Sequence, residues 1–191
     1  MALPRAWYVR GAHRRKKVQK GKLSSRAAWE LFCVYSKAIT NISRTDSGNS
    51  WSRLFAMPYQ GECNCGGIKV SIEDEAAAEN KPIFCHCLSC RRQSGALGTY
   101  VLVLPEGDVT VTGPLKAYLD DKTDSGTSLH RWFCEVCGCP VMSTSPLFAG
   151  KKIVKLGLFD KIEKPVVEVY CRNRQEWEPK LDGVVSIEGA S

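Results

Sequence analysis

A chain of 191 residues, 43% of them hydrophobic, is long enough for one domain of ordinary size with a real core. Its longest apolar stretch, Tyr100-Val101-Leu102-Val103-Leu104, falls far short of the roughly 20 residues that a membrane-spanning helix needs, and the first 25 residues hold no apolar segment of the secretory-leader kind, so no membrane is expected as a partner. The net charge of +7 is unevenly placed: residues 1–57 carry 12 Lys or Arg against 2 acidic residues, a net +10, and residues 58–191 carry 15 against 18, a net −3.

Residues 1–57 read as a separate basic extension. They open with the run Arg10-Gly11-Ala12-His13-Arg14-Arg15-Lys16-Lys17. A helix is predicted from about Ser25 to Ile39, capped by Ser24 or Ser25, with Trp29, Leu31, Phe32, Val34 and Tyr35 as its apolar bulk. The polar stretch Thr40 to Ser52 reads as a linker. The preferred reading of this arm is a bland flexible extension, with Met57 as a sensible start just before the next domain. A mitochondrial-type targeting segment is the second reading, and a nuclear or nucleic-acid arm the third. The expected location is therefore the cytoplasm, with the mitochondrion or the nucleus as the alternatives that a real arm would open.

From residue 58 to 191 the pattern is that of one mainly β domain. Ile68, Val70 and Ile72 alternate with Lys69 and Ser71, as in a half-buried strand. The segment Asp74 to Glu79 reads either as one helical turn or as an exposed loop. Further strands are predicted at 98–104, 108–112, 129–133, 153–158 and 166–170. Pro105-Glu106-Gly107-Asp108 and Thr112-Gly113-Pro114 are turn signals, and Asp120 to Ser128 is a polar loop. The acidic balance of this domain argues against nucleic acid as its partner.

The chain has ten cysteines and no secretory signal in sight, which points to a reducing compartment and to metal ligands rather than disulfides. Seven of them fall into three clusters: Cys63 with Cys65, then Cys85, Cys87 and Cys90, then Cys134 with Cys137. A closed structural zinc takes four ligands; a catalytic zinc takes three and keeps one position open. The two outer pairs, each followed by glycine, would make a closed Cys₄ site that clasps an early strand to a late one. The middle triplet would hold a second zinc with an open fourth position, giving two ions per chain. His86 lies between two ligands and should point away, into a supporting position or simply into solvent. Cys33, Cys139 and Cys171 read as bland buried thiols.

Zinc(II) with three thiolates carries a net charge of −1. Such a site is a poor activator of water, but it is soft and can exchange a thiol. The chemistry it favours is therefore on sulfur. Arg91 and Arg92, directly after the triplet, would raise its thiolate character or bind a substrate carboxylate; a solvated surface charge is an equal alternative for either. His130 reads as a surface or core histidine, and no general base stands out.

Together, Gly61-Glu62-Cys63-Asn64-Cys65-Gly66, Cys85-His86-Cys87-Leu88-Ser89-Cys90-Arg91 with Gly95, and Arg131-Trp132-Phe133-Cys134 with Cys137-Gly138 resemble the glutathione-dependent formaldehyde-activating enzyme family, also called the CENP-V/GFA domain. Gly113 before a Tyr118 strand, Gly157 with Asp160, and Trp177 add to a likeness that spans roughly residues 58–184. The resemblance implies a β-tent of small antiparallel sheets organised around zinc sites. It implies a structural zinc on Cys63, Cys65, Cys134 and Cys137, and an open one on Cys85, Cys87 and Cys90. It also implies a carbon–sulfur lyase acting on a glutathione-type thiol adduct such as S-hydroxymethylglutathione, with a small thiol as partner. The alternative, implied by the centromere-protein branch, is a zinc-stabilised, non-enzymatic module associated with chromatin or cytoskeleton. Cys139 stands where the family commonly has serine; it is either an idle thiol or an alternative ligand at the first site.

Overall fold

A computed structural model describes residues 59–189; the basic arm, its expected helix and its linker lie outside them. The described chain runs through β1 (Tyr59–Glu62), β2 (Lys69–Ile72), α1 (Asp74–Glu79), β3 (Ile83–Cys85), α2 (Leu88–Ser94), β4 (Thr99–Pro105), β5 (Val109–Thr112), β6 (Leu115–Asp120), β7 (Leu129–Cys134), β8 (Pro140–Thr144), β9 (Lys151–Lys155), β10 (Val167–Val169) and β11 (Val185–Ile187). The protein is mainly β, as the alternating runs predict. No helix among the described residues is long and apolar enough to cross a membrane.

The strands form two sheets. The smaller has the order β1-β2-β5 and the larger the order β11-β10-β3-β4-β9-β8-β7-β6. Pairing is antiparallel except around β10, which runs parallel to both of its neighbours, β3 and β11. The core lies between the sheets. On the small sheet, Ile68, Val70 and Ile72 are fully buried; they meet Leu102, Leu104, Val141, Val154 and Leu156 from the large one. Each such side chain contributes about 1.5–3 kcal/mol by leaving water.

Residues paired directly across neighbouring strands share a face, and alternation along each strand does the rest. Leu102 pairs with Val154, and Val154 with Met142; this row faces the core. The other row runs from Cys85 through Val101 on β4, whose partner on β9 is Lys155. It continues through Ile153 to Ser143 and Arg131. Cys85, Lys155 and Arg131 therefore lie on the face of the large sheet that points away from the small one.

Several expected strands shift or divide. The 153–158 run is two elements: β9 ends at Lys155, and Leu156–Leu158 form a 3₁₀ turn. Asp74 to Glu79 is helical, with Ala76 buried. β8 carries no alternation, because Val141, Met142 and Ser143 are all buried. The register with β7 steps over Val141, a bulge opposite Trp132 and Phe133.

Gly113 joins β5 to β6 with φ at +107°, a conformation that favours glycine. A Cβ there would meet the carbonyl oxygen of Gly67 at 2.0 Å, so this turn lies backbone to backbone against the chain that follows Cys65. Gly113→Ala should destabilise the fold by about 2 kcal/mol or more, read as a lower midpoint in denaturant unfolding. Gly107→Ala, where nothing lies within 4 Å of the added methyl, is the control and should stay close to wild type.

Candidate metal centres

The outer cysteine pairs converge. Cys63 follows β1 in a turn closed by the Gly66 N–H donating to the Cys63 carbonyl at 2.8 Å, and the Gly138 N–H closes the matching turn on Cys134 at 2.9 Å. Gly66 and Gly138 both adopt positive φ, which is why glycine ends each motif. Cys63 and Cys134 are buried, Cys137 is half-buried and Cys65 is exposed. The sulfurs of Cys63 and Cys65 are 3.4 Å apart and those of Cys65 and Cys134 3.7 Å, and all four lie within 4.8 Å of one another. With Zn–S at about 2.3 Å, a tetrahedron has edges of about 3.8 Å, so the donor set fits a four-sulfur ion.

The protons of the quartet show the same need for a cation. Burial opposes the Cys63 thiolate, but the Ile68 N–H, donating to Sγ at 3.2 Å, and the adjoining sulfurs draw it down to about 6. Cys65 gains from the Gly67 N–H, yet the neighbouring sulfurs push it up to about 12. Four sulfurs this close cannot all be thiolates without a positive charge among them.

The middle cysteines form a second group. Cys85 ends β3, Cys87 caps α2, and Cys90 is one turn into that helix. The Cys90 N–H donates to the Cys87 sulfur at 3.3 Å. All three are buried, their sulfurs lie within 4.8 Å of one another, and among the described residues no fourth Cys, His, Asp or Glu joins them. A soft ion here would keep one position open.

Bonds from Cys85 and Cys87 hold the Cys90 thiol well below its ordinary value; burial opposes them, and the charges of Lys155 and Arg131 assist. Cys85 is pushed well above it by the other two sulfurs and by burial. Cys87 rises to about 11: Cys85 favours its anion, while Cys90 and burial oppose it more strongly. Tyr170 packs against this group and is the one non-glycine residue at positive φ among those described, at +59°. That backbone strain is held in place by its N–H, which donates to the Gly189 carbonyl at 2.9 Å.

The cations beside the triad come from distant strands. Lys155 and Arg131 are 4% and 6% exposed, on the same sheet face as Cys85. Of the adjacent arginines, Arg91 donates to the Asn173 carbonyl at 3.0 Å, and Arg92 is exposed, as in the surface-charge alternative. Strand parity places the buried cations. Arg91 and Arg92 sit on α2 beyond Cys90, whereas the sheet beneath presents Lys155 and Arg131. The lysine within the apolar 153–158 run, and the arginine three residues before Cys134, were the signals. Ser143 shares the row, and its buried hydroxyl has no hydrogen-bond partner among the described residues.

His86 points away from the triad, as its place between two inward cysteines requires, but it is fully buried rather than exposed. Its Nε2 lies 3.0 Å from Glu168 Oε1. Glu168 also accepts from Arg174 at 2.6 Å and from Ser186 at 3.3 Å, and Arg174 approaches the Cys171 sulfur at 3.3 Å. His86, Glu168 and Cys171 thus form a third buried group, but its cation is already present as the Arg174 guanidinium. Cys171 is less bland than expected, since it belongs to this network. Cys139 is not among the four converging sulfurs; its carbonyl accepts the Cys134 N–H at 2.9 Å, and burial raises its thiol. His130 is exposed.

With Cys85 and Cys87 both raised, the ion-free triad keeps protons on these two thiols at neutral pH, while Cys90 is the thiol drawn downward. A divalent cation must displace both protons, so its affinity should tighten as pH rises, by about a hundredfold per pH unit near neutrality. Competition with a chromophoric chelator at several pH values measures that slope. A flat profile would show the thiols already ionised.

Comparison with known proteins completes the description. The family described as glutathione-dependent formaldehyde-activating enzyme matches residues 58–173. A Rhodobacter sphaeroides protein of known crystal structure is 19% identical, with the match covering 55% of this chain and 90% of that one at a TM-score of 0.42. No curated protein matches. The family match takes in all three cysteine clusters and more than half of the chain, and the chain belongs to the glutathione-dependent formaldehyde-activating enzyme family.

Proposed function

We propose that the chain is a zinc-dependent carbon–sulfur lyase acting on a glutathione-type thiol adduct such as S-hydroxymethylglutathione. The observation that carries this reading is the buried sulfur triad with no fourth protein ligand among the described residues, faced by two buried cations. Zinc suits both donor sets, since each consists of thiolates alone. Cys63, Cys65, Cys134 and Cys137 would hold a structural ion; Cys85, Cys87 and Cys90 would hold a second one. In that second position a bound zinc would supply a soft fourth site where a substrate sulfur could be kept as thiolate.

The protein's own contribution is electrostatic. Three thiolates and a divalent ion leave a charge of −1, and a buried charge needs a partner. Lys155 supplies one positive charge on the same sheet face. Arg131 supplies another, balanced by Asp120, which accepts its Nε–H at 2.7 Å. The site is thus close to neutral before substrate arrives, and an incoming thiolate does not meet an uncompensated anion. Forming the adduct would join the thiol sulfur to the formaldehyde carbon as the C=O π bond breaks, with the proton given up by the thiol ending on the new hydroxyl; Lys155 and Arg131 are the cations available to offset the passing oxygen charge. The triad favours this reading over a zinc-stabilised binding module, which needs the quartet alone. Residues 1–57 are a separate extension in this view, and residues 58–191 form the catalytic domain.

Metal analysis should find two zinc ions per chain, one of them lost much faster to a chelator. Added glutathione should perturb only the faster one. Cys87→Ser and Cys90→Ser should each lower the formation of S-hydroxymethylglutathione, followed by NMR, by about a hundredfold or more while one zinc stays bound. One tight zinc with three freely reactive thiols at 85, 87 and 90, and full activity in both variants, would sink the proposal.

A further inference from the structure

Helix α2 supplies Cys90 and starts at Cys87, yet little in its own sequence tells it where to sit. It has seven residues, and Cys90 is the only buried one. So short a helix has no appreciable stability of its own. Leu88, its one large apolar side chain, is 40% exposed, so no apolar face docks it. Polar contacts hold it instead. Arg91 reaches the Asn173 carbonyl, and Ser94 the Gly98 carbonyl. Among the described residues, the remainder come from the hairpin of β6 and β7.

Asp124, in the loop of that hairpin, accepts the Leu88 N–H with Oδ2 at 2.9 Å. Arg131 on β7 donates Nη1–H to Gln93 Oε1 at 3.4 Å. Asp120 at the end of β6 accepts from Arg131 Nε at 2.7 Å, and the Ser89 hydroxyl lies against the same carboxylate. The hairpin therefore touches α2 at Leu88, Ser89 and Gln93, on both sides of Cys90 in sequence. Asp120 and Arg131 are each 6% exposed. A buried ion pair contributes little net stability compared with apolar residues of like volume, so its presence under this helix calls for another role.

We propose that the β6–β7 hairpin is a polar clamp on α2, with Asp120, Arg131 and Asp124 as positioning residues that bring the Cys90 sulfur to those of Cys85 and Cys87. This rests on the reading of the triad as a metal site. Groups that orient metal ligands typically change affinity by about 10- to 100-fold when removed, and among the described residues the clamp is the largest set of such groups that α2 has.

The test uses the full chain and cobalt(II), whose thiolate charge-transfer absorption follows each binding step; Cys90→Ser identifies the step that belongs to the triad. Removing the buried pair together, as Asp120→Leu with Arg131→Met, leaves no lone charge behind. Asp124→Ala removes the exposed contact without touching the core, and Asp124→Asn keeps an acceptor oxygen. The triad step should weaken by about tenfold or more in the pair variant and in Asp124→Ala, with recovery in Asp124→Asn and an unchanged quartet step. In metal-free protein, alkylation of Cys90 should be faster in Asp124→Ala than in wild type. Unchanged triad affinity, or equal weakening of both steps, overturns the clamp. If wild type shows only one cobalt step, the triad's reading as a metal site fails, and the Cys90 alkylation rates alone decide the clamp: equal rates overturn it.

Discussion

Sulfur atoms brought within a few ångströms of one another, out of water, cannot all carry charge unchallenged, and the rest of this structure follows from that constraint. In the quartet, one thiol is drawn down and its neighbour pushed up by the same contacts. In the triad, one anion is favoured and two are opposed. Each group is a store of unmet negative charge. The quartet meets it at the edge of the core, with one sulfur reaching solvent. The triad is wholly buried, and the protein brings Lys155 and Arg131 beneath it.

The two sheets divide this work. The face of the large sheet that packs on β2 is apolar, and its Leu102, Met142 and Val154 row is core. The opposite face is chemical, with Cys85, Lys155, Ser143 and Arg131 on the same side of the five neighbouring strands β3-β4-β9-β8-β7. The parity that places Cys85 on the chemical face sends Phe84 and His86 to the other. There His86 meets Glu168, whose own partner in the parallel pairing is Phe84. A buried His–Glu–Arg network therefore backs the peptide that carries two of the triad's ligands.

Much of this was legible in the residues. The cysteine spacings delivered both groups, because turns closed by glycine constrain sulfurs locally. The Ile68, Val70 and Ile72 alternation placed β2 and the core. The cations were not legible, because their closeness to the triad depends on which strands are neighbours, and spacing along the chain is silent on that. Arg91 and Arg92 looked better placed for the same reason: adjacency in sequence is visible, adjacency across a sheet is not. β8 was missed because burial on both sides erases alternation, and β3 and β11 because three residues are too few to show any period. His86 was given its direction correctly, yet its burial came from Glu168, 82 positions away.

Strand β7 joins the two cysteine groups in one further way. Arg131 and Cys134 are an odd number of residues apart, so a regular strand sends them to opposite sides: one toward the helix that bears Cys90, the other toward the knuckle at Cys63. The extra residue opposite them, Val141, belongs to β8 and leaves β7 regular. A slip of one position would exchange the two sides, turning a guanidinium into the core and a thiol out of its quartet. No partly correct registration exists for this strand. Its alignment is checked by the convergence of four sulfurs at one end and by a salt bridge at the other.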